Sequence, residues 1–97
     1  MTGRVRIDKW LWHARFYRTR ASAQGAATSG VIRLNGARVE KSSAGVQPGD
    51  ILTVPRGREV VVVRIEALAE RRGKAPEARS LYSVVSGSVL DPAVAPS

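Results

Sequence analysis

Apolar positions near the start of the chain recur at helical spacing. Ile7, Trp10, Leu11 and Ala14 fall at i, i+3, i+4 and i+7, which predicts a short helix over 7–14. Asp8 stands where its carboxylate can cap that helix or pair with an arginine. Lys9, Trp12 and His13 lie off the apolar stripe, and His13 is expected in solvent or beside a ligand. Thr19 has the side chain of an N-cap for a second helix, about 20–29, whose inner face is Ala23, Ala26 and Ala27. Such small side chains let two short helices approach closely. Gly30 is suited to close that helix in a left-handed conformation.

Beyond residue 30 the spacing changes to that of strands. Val31–Leu34, Asn35-Gly36 and Ala37–Glu40 read as a hairpin, because Asn-Gly adopts the positive φ angles of a two-residue turn. Gln47–Asp50 is a turn into a strand at Ile51–Val54. Arg56-Gly-Arg58 turns into Glu59–Leu68, whose run of valines predicts a well-buried strand. Ala69–Lys74 reads as a charged loop in which Arg71, Arg72 and Lys74 are a secondary phosphate-contact candidate. Pro76 opens an expected last helix, Glu77–Val84, with Ala78, Leu81, Tyr82 and Val85 at helical spacing. Residues 86–97 lack periodicity and are expected to form a tail. The fold class is therefore α+β: two N-terminal helices packed on a small, curved, mostly antiparallel sheet, in a single domain over 1–85.

Composition narrows the chemistry. The 97 residues include no cysteine and one histidine, which excludes a thiol nucleophile, a disulfide and a Cys- or His-built metal centre. No cofactor is expected. The longest apolar run is Val60–Val63, and the opening residues MTGRVRIDKW have no apolar core of a secretory leader. A small soluble protein of the cytoplasm, free of membrane and monomeric on its own, is the expectation. The charge is more informative. Sixteen bases oppose eight acids, for a net +8. Residues 1–41 hold nine bases and two acids (+7), and residues 42–97 hold seven bases and six acids (+1). The excess is therefore local to the first half, as in a nucleic-acid-binding surface.

The segment Arg6–Gln24 concentrates that signal. Arg6, Lys9, Arg15, Arg18 and Arg20 sit at helix termini and at the joint between the two helices. An arginine fork donates two hydrogen bonds to one phosphate and can also stack on a base. Thr19, Ser22 and Gln24 can bond RNA backbone or ribose. Trp12, Phe16 and Tyr17 lie among the bases, and any of them that is exposed can stack on an unpaired base.

The motifs Arg6-Ile-Asp-Lys-Trp-Leu11, Arg20-Ala-Ser-Ala23, Gly30-Val-Ile-Arg-Leu-Asn-Gly36 and Pro48-Gly-Asp-Ile-Leu52, in that order, resemble the αL RNA-binding domain first described in small-subunit ribosomal protein four. The likeness runs from Arg6 to about Val54. The run WLWHARFYRTR is similar to the ribosome-associated heat-shock branch of the family, and EARSLYSVV is similar both to that branch and to its compact branch in ribosome quality control. The long basic C-terminal extension of the heat-shock branch has no counterpart here. The resemblance implies a ribosome-bound, non-enzymatic factor whose partners are large-subunit ribosomal RNA and peptidyl-tRNA. It implies that Arg6 and Arg20 are the arginines that touch those RNAs, with Lys9, Arg15 and Arg18 reinforcing the same face. It further implies that Asn35, Arg38, Lys41 and Ser42 border RNA along the hairpin edge. The alternative is a general nucleic-acid chaperone. An enzyme is disfavoured, because the residues after 54 are too few for the catalytic domains to which such modules are attached, and no nucleophile constellation is visible.

Overall fold

The computed structural model describes residues 4–69 and 72–90; side chains at 56 and 86–90 are left aside. Strand β1 (Val5–Arg6) leads directly into helix α1 (Ile7–His13), and helix α2 (Arg20–Thr28) follows a six-residue link. Five more strands come next: β2 (Arg33–Leu34), β3 (Ala37–Arg38), β4 (Gly45–Val46), β5 (Ile51–Arg56) and β6 (Glu59–Ile65). A short helix α3 (Ala75–Arg79) and strand β7 (Tyr82–Leu90) complete the fold. The architecture is α+β, as the periodicity predicted.

Helix α2 begins and ends as local chemistry requires. The Thr19 hydroxyl accepts the Ser22 N–H at 3.0 Å, and Gly30 follows α2 at φ +86°. Asp8 does not cap α1. It lies in the first turn, where its carboxylate accepts the Lys9 N–H at 2.7 Å. Of its two expected roles, the structure shows the partner of an arginine.

A two-stranded sheet pairs β1 with β4, and a five-stranded antiparallel sheet runs β3-β2-β5-β6-β7. Asn35 (φ +52°) and Gly36 (φ +87°) make the predicted hairpin turn. Pro55 lies in a central strand without disrupting it. The β2 pairing ends at Thr53, so the nitrogen of Pro55 has no ladder partner to lose on that side. Strand β6 is not buried on both faces as its valines suggested: Val61, Val63 and Ile65 are buried, while Val60 and Val62 are only half-covered. The core joins this face to Ile7, Trp10, Leu11, Ala23, Ala27, Ile32 and Leu52. Trp10 donates its indole N–H to the Ala67 carbonyl at 3.0 Å, fixing α1 against the segment after β6.

The C-terminal expectation needs correction. Pro76 does open a helix, but the helix ends at Arg79, and Tyr82–Leu90 is a strand. Val63 pairs with Val84, and Ile65 with Tyr82. The free edge of β6 supplied hydrogen bonds that helical spacing could not reveal, and β-branched Val84 and Val85 suit a strand. Residues 86–90 are thus strand backbone rather than tail; the rest of the expected tail, 91–97, and Arg71 lie outside the described residues.

Candidate nucleic-acid interface

Asp8 is the centre of the basic surface. Its side chain is 0% exposed and accepts from Arg6 Nε at 3.2 Å and Arg6 Nη2 at 3.1 Å. Arg20 Nε lies 3.8 Å from the same carboxylate, and this buried nitrogen has no hydrogen-bond partner. Gln24, one turn into α2, lies near the same carboxylate. Burial alone would raise the Asp8 pKa, but the bonds from Arg6 and the Lys9 N–H, with the polar Gln24 side chain beside them, outweigh it and hold the carboxyl below its usual value. Asp8 is therefore charged at neutral pH and orders two guanidinium groups that are themselves 46% and 39% exposed.

The loop after β3 completes this corner. The Ile7 N–H donates to the Ala44 carbonyl at 2.7 Å, which docks the loop on the start of α1. That contact brings Ser42 to 3.4 Å from Arg6 Nη2, with exposed Lys41 next to it. Residues Arg6, Arg20, Gln24 and Ser42, predicted from separate parts of the sequence, thus share one corner. Thr19 and Ser22 lie at its side, their hydroxyls 2.9 Å apart and committed to the α2 cap.

The hairpin carries a second basic group. Arg33 and Arg38 are directly opposite each other across β2 and β3, and both are exposed. Facing like charges weaken a strand pair, so the pairing suits an anionic ligand better than a bare sheet. Arg33 was not among the sequence candidates. The signal was present, because a two-residue Asn-Gly turn places residue 33 across from 38. Asn35, in contrast, is spent on structure: its Oδ1 accepts the Ile51 N–H at 2.8 Å and its Nδ2 donates to Asp50 at 3.2 Å. Beside the hairpin, a groove of about 290 Å³ has Leu34, Val39 and Ala44 in its lining and Arg38 and Lys41 among its polar residues.

Other candidates lie elsewhere. Arg15 stands at the far end of α1, roughly 13 Å along its axis from Arg6. Its Nε donates to the Gly73 carbonyl at 2.9 Å. Lys9 is half-buried and Arg18 exposed. Trp12 is half-buried, and Arg72 covers its ring at 5.6 Å, so a base could stack there only by displacing that guanidinium. His13 is not in solvent: it is 1% exposed. Burial first, then the charges of Lys9 and Arg20, hold its pKa below the usual imidazole value, against an opposing bond with the Ala69 backbone. It is thus a neutral core residue, a placement set by residues 67–69 folding over α1.

Comparison with known proteins gives the arrangement a family. The S4 domain family matches residues 5–52, the span from β1 into β5. The RQC P-site tRNA stabilizing factor of Bacillus subtilis is 36% identical over 86 residues, covering 89% of this chain and 98% of that protein. The chain belongs to this S4-domain family. A heat shock protein 15 homolog of Haemophilus influenzae is 42% identical over 85 residues, 88% of this chain, and the chain spans only 64% of that relative's length. The S4-domain fold is also that of heat shock protein 15 of Vibrio cholerae, whose trimeric structure superposes with a TM-score of 0.82 at 40% identity, covering 89% of this chain and 86% of that one.

Proposed function

We propose that this S4-domain protein is a non-catalytic RNA-binding factor of the cytoplasm that associates with the large ribosomal subunit. In this reading it holds ribosomal RNA and peptidyl-tRNA together on subunits obstructed by a nascent chain, in quality control or recycling. The observation that carries the proposal is the Asp8-centred corner. One buried carboxylate orders Arg6, from the end of β1, and Arg20, from the start of α2, while leaving both guanidinium groups accessible. An arginine held this way loses little rotamer freedom when it meets a phosphate. Two such groups from separate elements can each take a different RNA segment, and simultaneous contact supplies specificity that a uniform basic patch lacks. The name of the B. subtilis relative, a P-site tRNA stabilizing factor, supports the tRNA half of the reading. In this reading the free protein is a monomer: among the described residues the exposed large apolar side chains are only Val31, Val84 and Val85. The trimeric V. cholerae relative makes sedimentation of the free chain the check on that point.

The test is co-sedimentation with purified large subunits, vacant or carrying peptidyl-tRNA, over a salt series. Preference for the loaded subunit is expected, with steep loss of binding as salt rises. Arg6→Ala combined with Arg20→Ala is expected to abolish the interaction while circular dichroism stays native. Equal affinity for vacant subunits, loaded subunits and duplex DNA would instead mark a general nucleic-acid chaperone.

A further inference from the structure

Two arginines line one cleft at the opposite end of α1, Arg15 from within the matched S4 region and Arg79 from beyond it. Arg15, just past α1, and Arg79, at the end of α3, line one cleft of about 180 Å³ with Ala14, Ala75, Ala78 and Tyr82. Both arginines are exposed, and among the described residues neither forms an ion pair. Glu77 is the near acid: it lines a neighbouring cavity, with its carboxylate against Gly73.

Three features of the cleft suit an anionic ligand. First, Arg15 is the left-handed residue that closes α1 (φ +64°): its N–H donates to the Trp12 carbonyl at 3.1 Å and the Phe16 N–H to the Leu11 carbonyl at 3.0 Å, so the helix end fixes its backbone. This helix end turns the side chain toward α3, where Nε donates to the Gly73 carbonyl at 2.9 Å and the two terminal nitrogens have no hydrogen-bond partner among the described residues. Second, two arginines line one concave site, and among the described residues no acidic side chain is part of that lining. Third, the wall is already rigid. Tyr82 packs on Phe16 at 4.9 Å and on Trp10 at 6.3 Å, and Ala78 is buried, so the site needs no reorganisation to receive a ligand.

We infer that this cleft is a second phosphate subsite, built by the C-terminal α3–β7 unit and receiving an RNA-backbone phosphate on Arg15 and Arg79. The inference rests on the RNA-binding reading above and extends it. The α1 helix becomes a short spacer with a guanidinium pair at each end, so one RNA strand or two adjoining strands are held at both ends of the helix.

Two experiments on the full chain test it. In the first, inorganic phosphate is titrated into 15N-labelled protein and the arginine Nε–Hε signals are followed. Arg15 and Arg79 are expected to shift well ahead of Arg58, an exposed arginine in the β5–β6 turn. Equal movement of all three overturns the subsite even if the protein binds RNA. In the second, binding of a fluorescein-labelled RNA hairpin is measured over a KCl series. Arg79→Gln is expected to reduce the slope of log K against log salt by about 0.7–0.9, one phosphate contact, whereas Arg58→Gln leaves it near wild type. Arg15→Gly, which suits the left-handed backbone, is expected to reduce the slope likewise while its unfolding midpoint stays close to wild type. Slopes for Arg79→Gln and Arg58→Gln that coincide refute the inference. A wild-type chain that takes phosphate in the cleft but binds neither hairpin nor ribosomal subunit refutes the functional reading instead.

Discussion

Replacing Asp8 by asparagine pits two physical expectations against each other. The substitution removes a negative charge from a basic surface, so net electrostatics predicts tighter RNA binding. If Asp8 instead orders the arginines, binding must weaken. The stability cost can be worked from the contacts. Hydrogen bonds to a charged group contribute about 1.5–3 kcal/mol when shielded. The Arg6 side chain is 46% exposed, so solvent screening reduces its share to about 1 kcal/mol. Arg20, at 3.8 Å and 39% exposed, adds less than about 1 kcal/mol. Asparagine can still accept the Lys9 N–H, but its amide nitrogen then meets a guanidinium donor in a buried site, costing about 1 kcal/mol more. The sum is about 2–3 kcal/mol, or roughly 10–20 °C in Tm for a chain of this size. For RNA, freeing two arginine side chains costs on the order of 0.5–1.5 kcal/mol each, so about tenfold weaker binding is expected despite the added positive charge. Thermal unfolding followed by circular dichroism measures the first quantity. Fluorescence anisotropy with labelled RNA, well below the variant's Tm, measures the second. An Asp8→Asn protein that folds and binds RNA as tightly as wild type, or more tightly, refutes the ordering role.

Two further outcomes follow from buried groups and backbone shape. The lowered His13 pKa means that the unfolded chain takes up a proton at a higher pH than the folded one. Stability is then complete above the ordinary imidazole value of 6.5 and declines as pH falls from there toward the folded-state pKa. Urea titrations are expected to show this decline in wild type and its loss in His13→Leu; parallel profiles for the two would contradict the placement. Asp8 acts in the same direction at lower pH, its contribution being lost as pH falls from about 3.8 through its depressed folded-state value. Gly30→Ala places a β-carbon at φ +86° and 3.3 Å from Arg38 Cδ, so about 1–2 kcal/mol of destabilisation is expected in urea unfolding. An unchanged midpoint would show that the end of α2 does not need its left-handed glycine.

Features that depend on a few neighbouring residues were legible in the chain. The Thr19 cap, the alanine face of α2, the left-handed Gly30 and the Asn35-Gly36 turn all act over one to four residues, and each is found where the pattern placed it. The identity of Arg6 and Arg20 as neighbours was legible only through family resemblance. They are 14 positions apart, and it is the packing of Ala23 and Ala27 against α1 that brings both to Asp8. The expected helix at 77–84 failed for a complementary reason. Ala78, Leu81, Tyr82 and Val85 carry helical spacing, but an open edge on β6 outweighed it after Arg79.

Local propensity and charge distribution therefore decided the N-terminal helices, the hairpin and the basic character of the first half, because those properties are written in adjacent side chains. Tertiary packing decided which cations share a site. It turned Arg15 away from Arg6 and toward Arg79, covered Trp12 with Arg72, and took His13 out of solvent. Each of these outcomes depends on where residues 67–69 and 72–82 pack against α1, a contact between segments more than 50 positions apart that no short-range pattern encodes.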